Sequence, residues 1–206
     1  MDIAAYMRLS PVVPVLVIQS ADDAVPLARA LTRGGLKVLE VTLRTSAALE
    51  AMELIARDVP EAVVAAGTVV NAQDLRRAAD AGARFAFSPG LADFMLKDTP
   101  IPMLPGVATA SEIMRGISAG LGAFKFFPAA PAGGAAALRA FAGPFPGVQF
   151  CPTGGIDADN AADFLALANV ACVGGSWVAP AKAVAAHDWA MIEALARAAA
   201  ALSPRG

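Results

Sequence analysis

Lys125 is the residue whose position most clearly indicates chemistry, because it lies within an apolar run where lysine is rare. The run AFKFFPA (123–129) is typical of a β-strand, and its alternation places Ala123, Lys125 and Phe127 on one face. Burial there favours the uncharged amine, which is the nucleophile for a carbonyl carbon. A lysine paired with a buried carboxylate, or one that reaches outward to solvent, fits this position as well.

Glu40 interrupts a second strand-like run, KVLEVTLR (37–44), in the same way. A glutamate among aliphatic side chains is costly unless it is used or paired, so Glu40 is a candidate general acid–base group. A structural ion pair with Lys125 is the alternative, and the two interpretations are compatible. Arg44 ends the same run on the same face, where its planar fork could bind a substrate carboxylate. A salt bridge to a helix-cap carboxylate is the alternative for Arg44.

Two glycine loops follow neighbouring strand-like runs near the end of the chain, at 153–155 (TGG) and 174–176 (GGS). Glycine amides close to a helix N-terminus, with a hydroxyl beside them, favour phosphate binding. Two tight turns that need glycine dihedral angles are the alternative. Thr68 and Pro89 end other strand-like runs, and each is either a pocket residue or a turn residue. Asp157 is interpreted as a helix cap.

The composition excludes several other classes of function. The net charge is −2 and no long run of one sign occurs, so no nucleic acid or anionic membrane surface is expected as a partner. Neither a signal peptide nor a membrane span is expected near the N-terminus, and cytoplasmic localisation is predicted. His187 is the only histidine, and Cys151 and Cys172 are interpreted as buried reduced thiols. We therefore expect no metal site and no cofactor.

Short apolar runs alternate with amphipathic segments along the whole chain. Eight runs are typical of strands, and helices are predicted at 21–33, 46–57, 71–82 and 111–119 and in a tail that reaches about residue 201. This alternation predicts an α/β protein with a parallel sheet, and its regularity favours a single-domain (β/α)8 TIM barrel over residues 1–206. The predicted strands are 12–19, 37–44, 62–68, 84–90, 102–108, 123–129, 148–155 and 170–177.

Several long motifs in order give the chain a specific resemblance. VLEVTLRT, AAGTV, FSPGL, FKFFPA, GPFPGVQFCPTGGI and VGGSW resemble the 2-keto-3-deoxy-6-phosphogluconate (KDPG) aldolase and 4-hydroxy-2-oxoglutarate (KHG) aldolase family, from Val12 to about Pro180. The resemblance implies a class I aldolase in which Lys125 forms the Schiff base and Glu40 acts as acid and base. It further implies substrate contacts from Arg44, Thr68, Pro89, Phe127 and Thr153, and a phosphate site made of Gly154, Gly155 and Ser176.

The family implies cleavage of KDPG to pyruvate and glyceraldehyde 3-phosphate, a step of the Entner–Doudoroff pathway. Lys125 would attack the C2 ketone, and Glu40, through a water molecule, would remove the proton of the C4 hydroxyl. The family also implies a homotrimer. The galactonate epimer and 4-hydroxy-2-oxoglutarate are alternative substrates. A phosphate-binding barrel isomerase or synthase, and a non-catalytic binding module with the same phosphate site, are alternative functions.

Overall fold

A computed structural model of the chain describes residues 2–202 and contains nine parallel strands in two sheets. The strands are short and largely buried, because helices cover the outer face of the sheets and the inner face is packed with side chains. In chain order they are β1 Val12–Leu16, β2 Val38–Thr42, β3 Val63–Gly67, β4 Phe85–Phe87, β5 Met103–Leu104, β6 Gly106–Val107, β7 Ala123–Phe126, β8 Gln149–Pro152 and β9 Val173–Gly175.

The larger sheet has six strands in the order β5-β4-β3-β2-β1-β9, and the smaller has the order β6-β7-β8. The α/β class and the parallel sheet are thus confirmed. The prediction of eight uninterrupted strands is corrected at 102–108, where Pro105 separates β5 from β6. Proline has no N–H to donate to a ladder, although its carbonyl still accepts from the Lys125 amide at 2.9 Å. The other predicted strands exist but are shorter than expected.

The two sheets also meet at their other ends, between β8 and β9. Isolated parallel bridges join Phe150 to Val170 and Thr153 to Gly174. β9 in turn pairs with β1, in the register Val12 to Val173. The loops that follow β8, β9 and β1 therefore lie side by side at the C-terminal edge of the strands.

The helices alternate with the strands and include elements that the sequence analysis had not delimited. The predicted helices are confirmed, with Asn71 capping one and a Thr109–Glu112 capping box starting another. The predicted helical tail is interrupted into two helices. The helices are α1 Ile3–Met7, α2 Ala24–Arg33, α3 Ala48–Asp58, α4 Ala72–Asp80, α5 Ala110–Ser118, α6 Gly134–Ala142, α7 Ala161–Leu165, α8 Ala181–Ala185 and α9 Trp189–Ala200.

α1 was not expected, and it covers the N-terminal ends of the strands. The Asp2 side chain accepts from the Ala5 amide at 2.8 Å, which caps this short helix. Tyr6 stacks on Phe85 with ring centroids 4.8 Å apart, and Phe87 lies 5.1 Å beyond Phe85. These three rings thus fill the interior at the N-terminal ends of the strands. We therefore expect a site to open at the C-terminal ends. No helix within residues 2–202 has the length and apolar character required to cross a bilayer.

Candidate active site

Lys125 and Glu40 meet in the interior, although they come from different sheets. The Lys125 Nζ lies 2.9 Å from Oε1 and 3.2 Å from Oε2 of Glu40, and the two side chains are 5% and 1% exposed. β7 places Lys125 beside Gly106 and Cys151, and β2 places Glu40 beside Val15 and Ala65. The ion pair left open by the sequence is therefore present, with an amine and a carboxylate in direct contact.

Two aromatic rings flank the amine of this pair. The Nζ of Lys125 lies 5.1 Å from the ring centroid of Phe87 and 5.6 Å from that of Phe127. Phe127 was predicted as a pocket residue, whereas the sequence analysis missed Phe87. Alternation along 84–90 could have indicated it, because Phe87 shares a face with Pro89. The rings limit solvent around the amine and favour a charged group on their faces.

Thr153 places a buried hydroxyl in the interior. It is 6% exposed, and its Oγ1 has no hydrogen-bond partner within residues 2–202. The bridge to Gly174 sets its position, and a Cβ on Gly174 would collide with Thr153 Oγ1. A buried hydroxyl without a partner costs about 1–3 kcal/mol, which a polar ligand group in the pocket would offset.

Arg44 and Thr68 come together at the ends of β2 and β3. The Arg44 Nε donates to Thr68 Oγ1 at 3.2 Å, and Arg44 is exposed. No ion pair of Arg44 is found in the described part of the chain, so the alternative of a salt bridge to a carboxylate receives no support. Thr68 has φ 61°, which is strained for a β-branched residue. Strain of this kind clusters at functional sites because it fixes a side chain's direction.

The glycine loops after β8 and β9 present free backbone amides. Gly154 (φ 103°) and Gly155 (φ 75°) have left-handed backbones, and no hydrogen bond from the N–H of Gly155 is found within residues 2–202. The same holds for the N–H of Ser176, which is exposed. Because Thr153 pairs with Gly174, the two loops lie at the same height along the strand direction. Free amides beside a hydroxyl form an anion site.

One part of the phosphate prediction is wrong. The helices after these loops start only at Ala161 and Ala181, several residues beyond the glycines. The amides of the loops, rather than a helix N-terminus, are therefore the groups available to bind an anion. Asp157 caps the turn before α7, because its Oδ1 accepts from the amides of Asp159 and Asn160 at 3.0 and 3.2 Å.

Pro89 is held close to Lys125 through its neighbours. Ser88 is 1% exposed and donates to the Gly90 carbonyl at 2.5 Å. A Cβ on Gly106 would collide with the carbonyl of Pro89, so the loop packs directly on the backbone residue that pairs with Lys125. Glu40 and Lys125 lie within β2 and β7, and the other predicted site residues lie beyond the C-terminal ends of their strands.

A cavity of about 670 Å³ opens next to Ser176, between the end of β1 and α8. Its walls are mostly apolar, with Val17 and Trp177 among them. His187 lines the cavity and pairs with Asp23, with Nε2 to Oδ1 at 3.1 Å. His187 therefore lies in the same cavity as Ser176, next to the glycine loops. It is not the partner of Lys125, whose contact is with the Glu40 carboxylate.

The two cysteines lie below the pair, in the same interior cluster as Phe87. Cys151 is the β8 neighbour of Lys125, and both thiols are completely buried. A hydrogen bond with Cys151, together with burial, raises the pKa of the Cys172 thiol well above its ordinary value. The two buried thiols therefore form the floor of the interior beneath Lys125 and Glu40.

Several known proteins with similar sequences and structures are aldolases. The family model "KDPG and KHG aldolase" matches residues 3–195. The KHG/KDPG aldolase of Escherichia coli (strain K12) is 54% identical over 196 residues, which cover 94% of this chain and 92% of that protein.

Two solved structures are also similar. One is the KDPG aldolase of Legionella pneumophila with pyruvate captured as a covalent carbinolamine, with a TM-score of 0.95, 48% identity and coverage of 98% of this chain and 99% of that one. The other is the aldolase of Zymomonas mobilis ZM4 with 3-phosphoglycerate, with a TM-score of 0.93, 49% identity and coverage of 99% and 97%.

The two buried thiols test whether solvent reagents can reach the interior beneath Lys125 and Glu40. We expect a thiol reagent such as DTNB to label neither cysteine of the native protein at pH 8, and to label both after unfolding in guanidinium. The raised pKa of Cys172 keeps its thiol protonated in the folded state, so the stability that it contributes is lost as pH rises above the ordinary thiol range. Rapid labelling of the native protein would contradict this closed floor.

Proposed function

The chain belongs to the KDPG and KHG aldolase family, and we propose that Lys125 and Glu40 carry its reaction. The protein is a class I aldolase that cleaves 2-dehydro-3-deoxy-6-phosphogluconate to pyruvate and glyceraldehyde 3-phosphate through a lysine Schiff base, in the Entner–Doudoroff pathway. Lys125 is the nucleophile and Glu40 the acid–base group. The observation that carries both roles is the buried contact of 2.9 Å between the amine and the carboxylate.

The contact accounts for the first half of the reaction. An ammonium must lose a proton before it attacks the C2 ketone, and the Glu40 carboxylate is in position to accept it. The carbinolamine then loses water to give an iminium, and the same carboxylic acid can protonate the departing hydroxyl.

Cleavage follows with Glu40 as base. Glu40 accepts the proton of the C4 hydroxyl, the C3–C4 bond breaks, and its electron pair moves into the iminium to give an enamine. Glyceraldehyde 3-phosphate leaves with the C4 carbonyl. The enamine is protonated at C3, and water releases pyruvate and restores the amine of Lys125. The positive iminium stabilises the developing carbanion.

The remaining predicted residues orient the substrate from both ends. Arg44 and Thr68 bind the C1 carboxylate, and the strained backbone of Thr68 holds its hydroxyl toward Arg44. The unpartnered hydroxyl of Thr153 contacts the middle of the chain. Pro89 and Phe127 line the pocket around Lys125. The phosphate is bound by the glycine loop at Gly154 and Gly155 and by Ser176, and the N–H groups of Gly155 and Ser176 lack partners within residues 2–202.

We also infer that the two sheets form one closed (β/α)8 barrel, a single domain over residues 1–206. Only Pro105 separates β5 from β6, and β9 pairs with β1. One bridge joins β8 to Val170, just before β9, and another joins Thr153, just after β8, to β9. If β5 and β6 count as one strand, β2 and β7 are opposite each other in a ring of eight. The ion pair between these two strands supports that closure.

The Schiff base is tested by trapping. We expect pyruvate and borohydride to attach a reduced adduct to Lys125, located by peptide mass spectrometry, and we expect Lys125→Ala to abolish both adduct and cleavage. Lys97→Ala, which removes an exposed lysine, is the control and should change neither. Glu40→Gln should lower kcat by about 10²–10⁴-fold, because the amide cannot accept a proton. An adduct on another residue, or full cleavage without Lys125, would refute these roles.

The phosphate site predicts a difference between two substrates. 4-Hydroxy-2-oxoglutarate, which we propose as a second substrate, has no phosphate. Ser176→Ala should raise KM for the phosphorylated substrate by about 10–100-fold, the loss expected for one hydrogen bond to a charged group, and should leave KM for 4-hydroxy-2-oxoglutarate unchanged. Ser46→Ala is the matched control, since this exposed serine follows β2 at the same edge of the sheet. Equal effects on both substrates would contradict a phosphate contact.

A cytoplasmic homotrimer is the assembly that we propose. Support comes from α5, where Met114 and Ile117 are 59% and 42% exposed, since apolar side chains of this size favour an interface. Sedimentation equilibrium of the full chain should give the mass of three 20.8 kDa subunits, and Met114→Lys should reduce it. A monomer at micromolar concentration would contradict the trimer.

A further inference from the structure

Gly67 has backbone dihedral angles that other residue types can also adopt. It is the last residue of β3 and pairs with Thr42, and its carbonyl accepts from the Leu43 amide at 2.9 Å. Its φ lies outside the left-handed region that favours glycine. Conformation alone would therefore allow alanine, which is generally better than glycine inside a strand.

The space beside Gly67 is filled by Glu40. A Cβ added to Gly67 would collide with the Glu40 Oε1, and would lie 2.7 Å from its Cγ and 3.0 Å from its Cδ. These three atoms belong to one side chain, which is 1% exposed. The Cα of Gly67 is thus one wall of the space that holds the Glu40 carboxylate.

Within residues 2–202, the hydrogen bonds of the Glu40 carboxylate all come from Lys125. That nitrogen becomes the imine during the proposed reaction, and it then offers at most one proton. Packing must therefore hold the carboxylate when it accepts the proton from the C4 hydroxyl. A wall of backbone can do this because it has no rotamers.

We propose that Gly67 is a positioning residue that holds the Glu40 carboxylate where it can accept the C4 hydroxyl proton. The inference rests on the proposed function of Glu40 and Lys125. An alanine at 67 would displace the carboxylate by roughly 1 Å, and a displacement of this size costs about 10²-fold in rate. Attack by Lys125 on pyruvate uses Glu40 for proton transfer but has no C4 hydroxyl to deprotonate. Borohydride also collects the adduct to completion when attack is slowed, so the final adduct yield should respond less than the rate of cleavage.

Gly67→Ala in the full chain tests this separation. We expect kcat for cleavage of 2-dehydro-3-deoxy-6-phosphogluconate to fall about 100-fold, with KM changed less than threefold. Borohydride should still trap the pyruvate adduct on Lys125 in full yield. The control is Gly122→Ala, because an added Cβ there meets nothing within 4 Å and its φ is ordinary. Equal loss of adduct and cleavage, or unchanged cleavage, would overturn the proposal.

A double-mutant cycle with Glu40→Asp identifies the conflicting group. Aspartate withdraws the carboxylate by one methylene, so Gly67→Ala should cost less than threefold in kcat in that background, against about 100-fold beside Glu40. Equal costs in both backgrounds would overturn the proposal. If Gly67→Ala alone fails to fold, recovery of the fold in the double variant supports the conflict with Glu40, and no recovery overturns it.

The wild-type chain keeps the two proposals distinguishable. If it cleaves the substrate and gives the Lys125 adduct, the proposed function stands, and only the variants decide the role of Gly67. If the wild type gives no adduct, the proposed function fails before any variant is measured.

Discussion

The buried contact between Lys125 and Glu40 is the interaction on which the rest of the structure depends. It joins β7 of the small sheet to β2 of the large one through a carboxylate that is 1% exposed. Bringing two charges into such an interior costs several kcal/mol per ion before their attraction is counted, and removing one partner alone costs about 3–5 kcal/mol. A pair with this cost is a poor choice for stability, so its presence at the open end of the sheets is best explained by chemistry.

Glycines at strand ends make the room that this chemistry needs. Gly67 leaves space for Glu40, Gly106 for the carbonyl of Pro89, and Gly174 for the hydroxyl of Thr153. All three have backbone angles that any residue can adopt, so it is the absence of a side chain that leaves this space. Gly154 and Gly155 differ, because their left-handed backbones favour glycine. The same residue type therefore serves two purposes at one edge of the sheets.

The site also contains groups that are unsatisfied or strained in the free protein. Thr68 has a left-handed backbone, the Thr153 hydroxyl is buried without a partner in the described chain, and free amides surround the proposed phosphate position. Each raises the free energy of the unliganded state by a small amount. A substrate with a hydroxyl in its middle and a phosphate at one end would give partners to the Thr153 hydroxyl and the free amides. Under the proposed function, these contacts far from the C3–C4 bond would orient it over the Lys125 imine.

The sequence by itself determined the strand and helix order and singled out Lys125 and Glu40, because a charged residue inside an alternating apolar strand is a local signal. It also indicated the glycine loops, whose composition is equally local. Only the tertiary structure decided that Pro105 divides a strand, that α1 closes the N-terminal ends, that Phe87 faces the amine and that Gly67 backs Glu40. These depend on the register between strands that are 25 to 85 residues apart in sequence, as in the pairs Thr42–Gly67 and Glu40–Lys125. Alternation says which face a side chain occupies, but the distance to its neighbour is set by the packed sheets.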